Sequence, residues 1–129
     1  MPKLTDPQLA LLRGLNFGAV ATLRSDGTPQ TSVVWVDTDG ENVVFNTTNA
    51  RAKGRNLRND PRINITVWDA SDPYHYFEVE GIAELDEAGA NDYINVLSRK
   101  YTGEDFHAPF DRVTVVVKAQ RIFNHYVGD

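Results

Sequence analysis

The sequence of 129 residues contains no cysteine. That excludes a disulfide framework, a thiolate nucleophile and any thiolate metal site, and it fits a reducing compartment such as the cytoplasm. No apolar run approaches the roughly 18 residues of a membrane-spanning helix, and the N-terminus lacks a basic segment followed by an apolar core. Neither a membrane partner nor a secretory leader is therefore expected, and the location expected is cytoplasmic. Motifs for a catalytic triad, a zinc site or a Gly-rich phosphate loop are missing too. The three histidines, His75, His107 and His125, are too scattered to form a ligand set and read as structural or surface residues. Lys and Arg number 13 against 18 Asp and Glu, a formal net charge of −5. General nucleic-acid binding is disfavoured by that balance.

Against this acidic background one stretch stands out, Phe45 to Arg62, reading FNTTNARAKGRNLRNDPR. Arg51, Lys53, Arg55, Arg58 and Arg62 fall within twelve residues, and no Asp or Glu occurs between Glu41 and Asp60. Thr47, Thr48 and Asn49 have side chains suited to capping, so a helix is expected to start near Asn49. Its first turn would carry Arg and Lys at the positive end of the helix dipole. Arg51 and Arg55, four residues apart, would also repel by a few tenths of a kcal/mol, roughly. An anion would relieve both costs, because free backbone N–H groups, hydroxyls and cationic side chains together make a phosphate site. A solvated basic helix face is the other reading.

The remaining chain reads as strands with short helices, in one domain over residues 1–129. Thr5 to Gly14 has capping-box spacing at Thr5 and Gln8, and it is expected to form a short helix covering a barrel end. Phe17 to Leu23 alternates with period two, Asp26-Gly27 signals a hairpin, and Gln30 to Asp37 is rich in β-branched and aromatic residues. Asp39-Gly40 signals a second hairpin leading into Asn42 to Asn46. Arg62 to Trp68 alternates Ile63, Ile65 and Val67 on one face. Tyr74 to Leu85 points Phe77, Val79, Gly81, Ala83 and Leu85 inward, with Gly81 a candidate bulge. Glu78, Glu80 and Glu84 then share the opposite face and read as a solvated sheet surface rather than paired catalytic acids. Asp86 is placed to cap a helix from Glu87 to about Tyr101, followed by an irregular loop from Thr102 to Phe110 and a last strand from Arg112 to about Val127. Six strands joined largely by hairpins favour a closed or nearly closed antiparallel barrel, since closure removes exposed edges.

The succession of strand, Asp-Gly hairpin, strand, Asp-Gly hairpin, FNTT and the helix RAKGRNL followed by Asp-Pro-Arg resembles the pyridoxamine 5′-phosphate oxidase-like split-barrel superfamily nearly end to end. SVVWV in the second strand and ARAKGRNLRNDPR most resemble the branch that binds the deazaflavin coenzyme F-420 rather than FMN. The resemblance implies a mainly β fold, a six-stranded antiparallel split β-barrel of Greek-key-like order with peripheral α-helices. It implies that Thr47, Arg51 and Lys53 grip the cofactor phosphate, with Arg55 and Asn56 following in the same motif. The ring would lie along Thr31, Ser32, Val33, Val34 and Trp35 and along Phe45 to Thr47, which brings in Asn46, with Thr48 next in line. A longer anionic tail on coenzyme F-420 would account for basic residues as far as Arg58 and Arg62. The second strand lacks the Arg and Lys that FMN oxidases of the family use for phosphate. The implied activity is hydride transfer from coenzyme F-420 to an unsaturated organic substrate, in a homodimer whose partner completes the pocket around Trp68 to Phe77. An FMN-dependent enzyme of the same fold, a non-catalytic carrier of the cofactor and a single-stranded nucleic-acid binder are the alternatives.

Overall fold

A computed structural model describes residues 2–106 and 111–129. His107 and the end of the expected irregular loop lie outside the described residues. The elements in chain order are α1 (Asp6–Arg13), β1 (Phe17–Leu23), β2 (Pro29–Trp35), β3 (Asp37–Thr38), β4 (Val43–Thr48), α2 (Ala52–Asn59), β5 (Arg62–Asp69), β6 (Asp72–Asp86), α3 (Ala90–Thr102) and β7 (Arg112–His125). The strands form one antiparallel sheet in the order β2-β1-β5-β6-β7-β4-β3.

The two edge strands of that order, β2 and β3, are consecutive in the chain, separated only by Val36. One residue spans about 3.3 Å, so the sheet must curl until its edges meet. The expected second strand is therefore one passage of chain that changes neighbours at Val36, and seven hydrogen-bonded strands make six passages of a split barrel. Both hairpins form where Asp-Gly foresaw them. Gly27 and Gly40 take φ values of 85° and 97°, a region open to glycine at little cost. Asp26 accepts from the Thr28 backbone at 3.0 Å, and Asp39 accepts from Asn42 at 2.7 Å.

Alternation decides the interior. Val20, Val34, Phe45, Ile63, Ile65, Val67, Phe77, Val79, Val115 and Val117 point into a common buried core. Leu12 of α1 joins that core from one barrel end, as the capping box of Thr5 and Gln8 sets the helix there. Leu57 of α2 enters from the other end, where Asn56 Nδ2 donates to Thr22 Oγ1 at 3.0 Å. Burying a leucine of this kind contributes about 1.5–3 kcal/mol. The register of β6 shifts between Glu80 and Gly81, the expected bulge, and a Cβ on Gly81 would lie 2.2 Å from the Lys118 carbonyl oxygen.

Two helix starts differ from expectation. The helix α2 begins at Ala52, not near Asn49, and no side chain caps it. Asn49 is engaged elsewhere, donating to Asp111 at 2.7 Å and accepting from Arg58 Nε at 2.8 Å. Likewise α3 begins at Ala90 after Gly89, whose φ of 71° turns the chain into the helix. Asp86 instead accepts from Ala88 N–H and closes a turn before it. Ala90, Ile94 and Leu97, at helical spacing, form the buried stripe of α3.

Candidate functional site

Outside the barrel, where β2 approaches β4 and α3 packs alongside, lies a cavity of about 320 Å³. Its walls come from five parts of the chain: Phe17, the run Val33 to Trp35, Asn46 with Arg51 and Lys53, Ile94 with Leu97, and Phe106 with Arg112. Of the twelve residues expected at a cofactor, six meet here: Val33, Val34, Trp35, Asn46, Arg51 and Lys53.

The other six are placed around it. Thr31 is exposed, two residues from Val33 on the same side of β2. Ser32 and Thr47 point to the barrel side of their strands, and both hydroxyls are buried without a hydrogen-bond partner. Thr48 Oγ1 accepts from the Arg51 backbone N–H at 3.1 Å, shaping the turn into α2. Arg55 donates to the Ala50 carbonyl, and Asn56 ties α2 to β1 as described. Arg58 pairs with Glu87. Arg62 pairs with Asp60 at 2.7 Å and lines a separate cavity with Glu80 and Arg121. The basic run therefore does not form one continuous track of unpaired cations from α2 into β5.

What remains at the cavity is a cationic wall. Arg51, Lys53 and Arg112 have no carboxylate partner among the described residues. Burial, then Arg51 and Arg112, pushes the Lys53 ammonium below the usual lysine range. Burial and Arg51 likewise work against the charge on Arg112. An anion placed among these three cations would relieve their mutual repulsion.

Arg112 is the cation of the cavity that sequence reasoning missed. It heads β7 in register with Thr48, is only 7% exposed, and its Nε donates to Asn46 Oδ1 at 2.8 Å. Asn46 is held at its other end by donating to the Ala90 carbonyl at 2.9 Å. Only antiparallel pairing across more than 60 residues brings Arg112 to the basic stretch, and nothing local in RVTVVV announces it.

The cavity also has an aromatic wall. The Trp35 indole stacks on Tyr101 at 5.2 Å and 7°, and Phe106 meets it edge-on at 6.1 Å. Phe106 also lies 5.3 Å under the Arg112 guanidinium, so it joins the two walls. Val33 leaves 65% of its surface in solvent beside them. Such a cavity can take a flat apolar group against β2 and a phosphate or other anion against Arg51, Lys53 and Arg112. The donor set fits a flavin-type cofactor in both respects.

Among the described residues no such site forms from the other candidates. His75 faces Asp72 at 3.2 Å, and His125 contacts the Tyr74 carbonyl at 2.7 Å while stacking on Tyr76. No group of three potential metal ligands occurs among the described residues. Glu80 pairs with Arg121 and Glu84 with Lys118, while Glu78 accepts from Asn64, the solvated sheet face expected of them. Among the described residues no helix is long and apolar enough to cross a membrane.

Comparison with solved structures finds the same architecture. One described as an F420 reductase superposes with a TM-score of 0.81 at 32% identity, covering 93% of this chain and 98% of its own. A heme binding protein from Mycobacterium smegmatis gives 0.66 at 28% identity, over 95% of this chain and 54% of that one. A conserved hypothetical protein from Mycobacterium tuberculosis gives 0.76 at 22% identity, over 95% and 86%, a likeness of fold alone. The family model described as pyridoxamine 5′-phosphate oxidase matches residues 4–126. That span contains both walls of the cavity and every strand of the barrel, and the chain belongs to the pyridoxamine 5′-phosphate oxidase family.

Proposed function

We propose that this protein is an oxidoreductase that binds the deazaflavin coenzyme F-420 and reduces an unsaturated organic substrate. The observation that carries the reading is the pairing of three carboxylate-free cations, Arg51, Lys53 and Arg112, with the Trp35 and Phe106 wall in one cavity. Arg51, Lys53 and Arg112 would hold phosphate, while Val33 and Trp35 would flank the ring. A reduced deazaflavin supplies hydride when bound, and a proton completes reduction of the substrate double bond. The chain's own task is then to bind, orient and shield the ring, which needs no side-chain nucleophile. The F420 reductase at 32% identity supports this choice of cofactor.

The protein is read as a cytoplasmic homodimer, with partner residues around Trp68 to Phe77 closing the open side of the cavity. FMN is the alternative cofactor, since a phosphate monoester suits the same three cations. Side-by-side equilibrium titration separates the two. The reading predicts a saturable fluorescence change with coenzyme F-420 and weaker binding of FMN. Saturable FMN binding with no response to coenzyme F-420 would transfer the site to an FMN-dependent enzyme. Tight coenzyme F-420 binding with no hydride transfer to any of a panel of unsaturated acceptors would make the protein a carrier.

A further inference from the structure

The aromatic wall of the cavity is held from behind by a residue outside the cavity lining. Tyr101, in the last turn of α3, lays its ring parallel to the Trp35 indole at 5.2 Å and 7° and lies 5.6 Å from Phe17. Its hydroxyl accepts the Val36 backbone N–H at 3.0 Å and lies within donating reach of the Val36 and Asn16 carbonyls. Val36 is the residue at which the chain leaves one sheet edge for the other. The neighbouring Lys100 binds the same bend, its Nζ donating to the Val36 carbonyl at 2.8 Å and the Leu12 carbonyl at 2.6 Å, with the Asp37 carboxylate 3.3 Å away. One face of Trp35 and the backbone directly after it are thus fixed together by a single side chain.

We propose that Tyr101 is a positioning residue for the cofactor ring, setting the plane of Trp35 through the stack while its hydroxyl pins the strand crossover at Val36. The proposal rests on the reading of the cavity as a flavin-type site. Flat rings prefer offset parallel or edge-on partners, so an indole locked parallel to Tyr101 presents a fixed plane along the cavity. Two functions of one side chain then separate. The stack governs how the cavity receives a ring, and the hydroxyl governs the stability of the barrel closure.

Trp35 emission and quenching are read in a Trp68→Phe background, in which Trp35 is the remaining tryptophan of two. Cofactor affinities are read in chains that keep Trp68, since Trp68 lies in the span read as closing the partner's cavity. Tyr101→Phe keeps the stack and removes the hydroxyl; Tyr101→Leu removes both, and Tyr101→Met replaces it should the leucine variant not fold. Each variant is made in both backgrounds: Trp35 emission and acrylamide quenching are measured without Trp68, and thermal midpoint and the dissociation constants for coenzyme F-420 and FMN with it. Both classes of variant are expected to melt earlier. Tyr101→Phe is expected to retain the Trp35 emission and cofactor affinity, whereas Tyr101→Leu shifts emission to the red, raises quenching and weakens the bound cofactor by about three- to tenfold. Unchanged Trp35 emission and quenching in folded Tyr101→Leu or Tyr101→Met would overturn the proposal, as would equal affinity losses in the phenylalanine and leucine variants. If the unaltered protein binds neither cofactor, the reading of the cavity fails, and the role of Tyr101 in holding Trp35 is still decided by emission and quenching in the free protein.

Discussion

The balance of charge around Lys53 sets how the cavity responds to pH. Its ammonium is half-buried beside Arg51 and Arg112, so the free protein holds that proton less tightly than the unfolded chain does. The sign for stability follows from proton counts. Between the depressed folded value and the ordinary lysine value the unfolded chain binds more protons, so this group's contribution to stability rises with pH across that window and is least favourable below it. Anion binding has the opposite sense, since it needs the protonated form. Affinity for coenzyme F-420 should therefore decline with rising pH before the usual lysine range is reached, and Lys53→Arg should carry the affinity to higher pH. Titrations repeated across alkaline pH on both proteins check this, and parallel curves would argue against Lys53 as a phosphate contact. Asn46 has a distinct role, fixing Arg112 Nε and the Ala90 carbonyl at once. Asn46→Ala should cost about 1–3 kcal/mol in denaturant unfolding, because it strands a buried donor and acceptor. That Lys53 and Trp35 line one cavity was expected, Lys53 from the basic cluster and the resemblance together and Trp35 from the resemblance alone. Arg112, Phe106 and Tyr101 were not, because each reaches the site through pairing or packing between distant segments.

At the level of elements, Lys53 of α2 and Arg51 just before it reach the cavity because α2 lies hard against the end of β4. Gly54 permits that approach, since a Cβ there would sit 2.2 Å from the Thr48 carbonyl oxygen. Gly54→Ala should destabilise the fold by about 1–3 kcal/mol despite the better helix propensity of alanine, and it should weaken cofactor binding by displacing the helix start. A thermal midpoint equal to or above that of the unaltered protein would contradict this packing. The same region shows where local reading stops. Thr47, Thr48 and Asn49 are good caps by type, yet Asn49 is committed to Asp111 and Arg58, and α2 starts three residues later than its composition suggests. The break at Val36 is equally invisible, for Gln30 to Asp37 is one β-rich run. Barrel closure and the Tyr101 hydroxyl, 65 residues away, divide it. Strands with clean alternation, β1, β5 and β6, formed as read because burial on one face is a local property of their own sequence.

Across the whole molecule, charge is segregated: a formal net charge of −5 surrounds a cavity with three cations free of carboxylates. An acidic exterior with a basic cavity favours a small anionic ligand over a nucleic-acid backbone. The cavity is open on one side, and Tyr74, Phe123 and Tyr126 leave large apolar surfaces in solvent at the far ends of β6 and β7. Both features suit a homodimer, and sedimentation velocity at micromolar concentration should give the mass of two chains. A single-chain mass that coenzyme F-420 does not alter would contradict it. The central claim is that the unpaired cations, and not basic charge in general, hold the cofactor phosphate. Calorimetric titration of coenzyme F-420 into the unaltered protein and into Lys53→Ala, Arg112→Ala and Arg58→Ala tests it most directly. The account predicts losses of roughly 1.5–3 kcal/mol for Lys53 and Arg112. For Arg58, whose charge already pairs with Glu87 on the surface, the loss should stay within about 0.5 kcal/mol. Equal losses at all three positions, or none at Lys53 and Arg112, would contradict it.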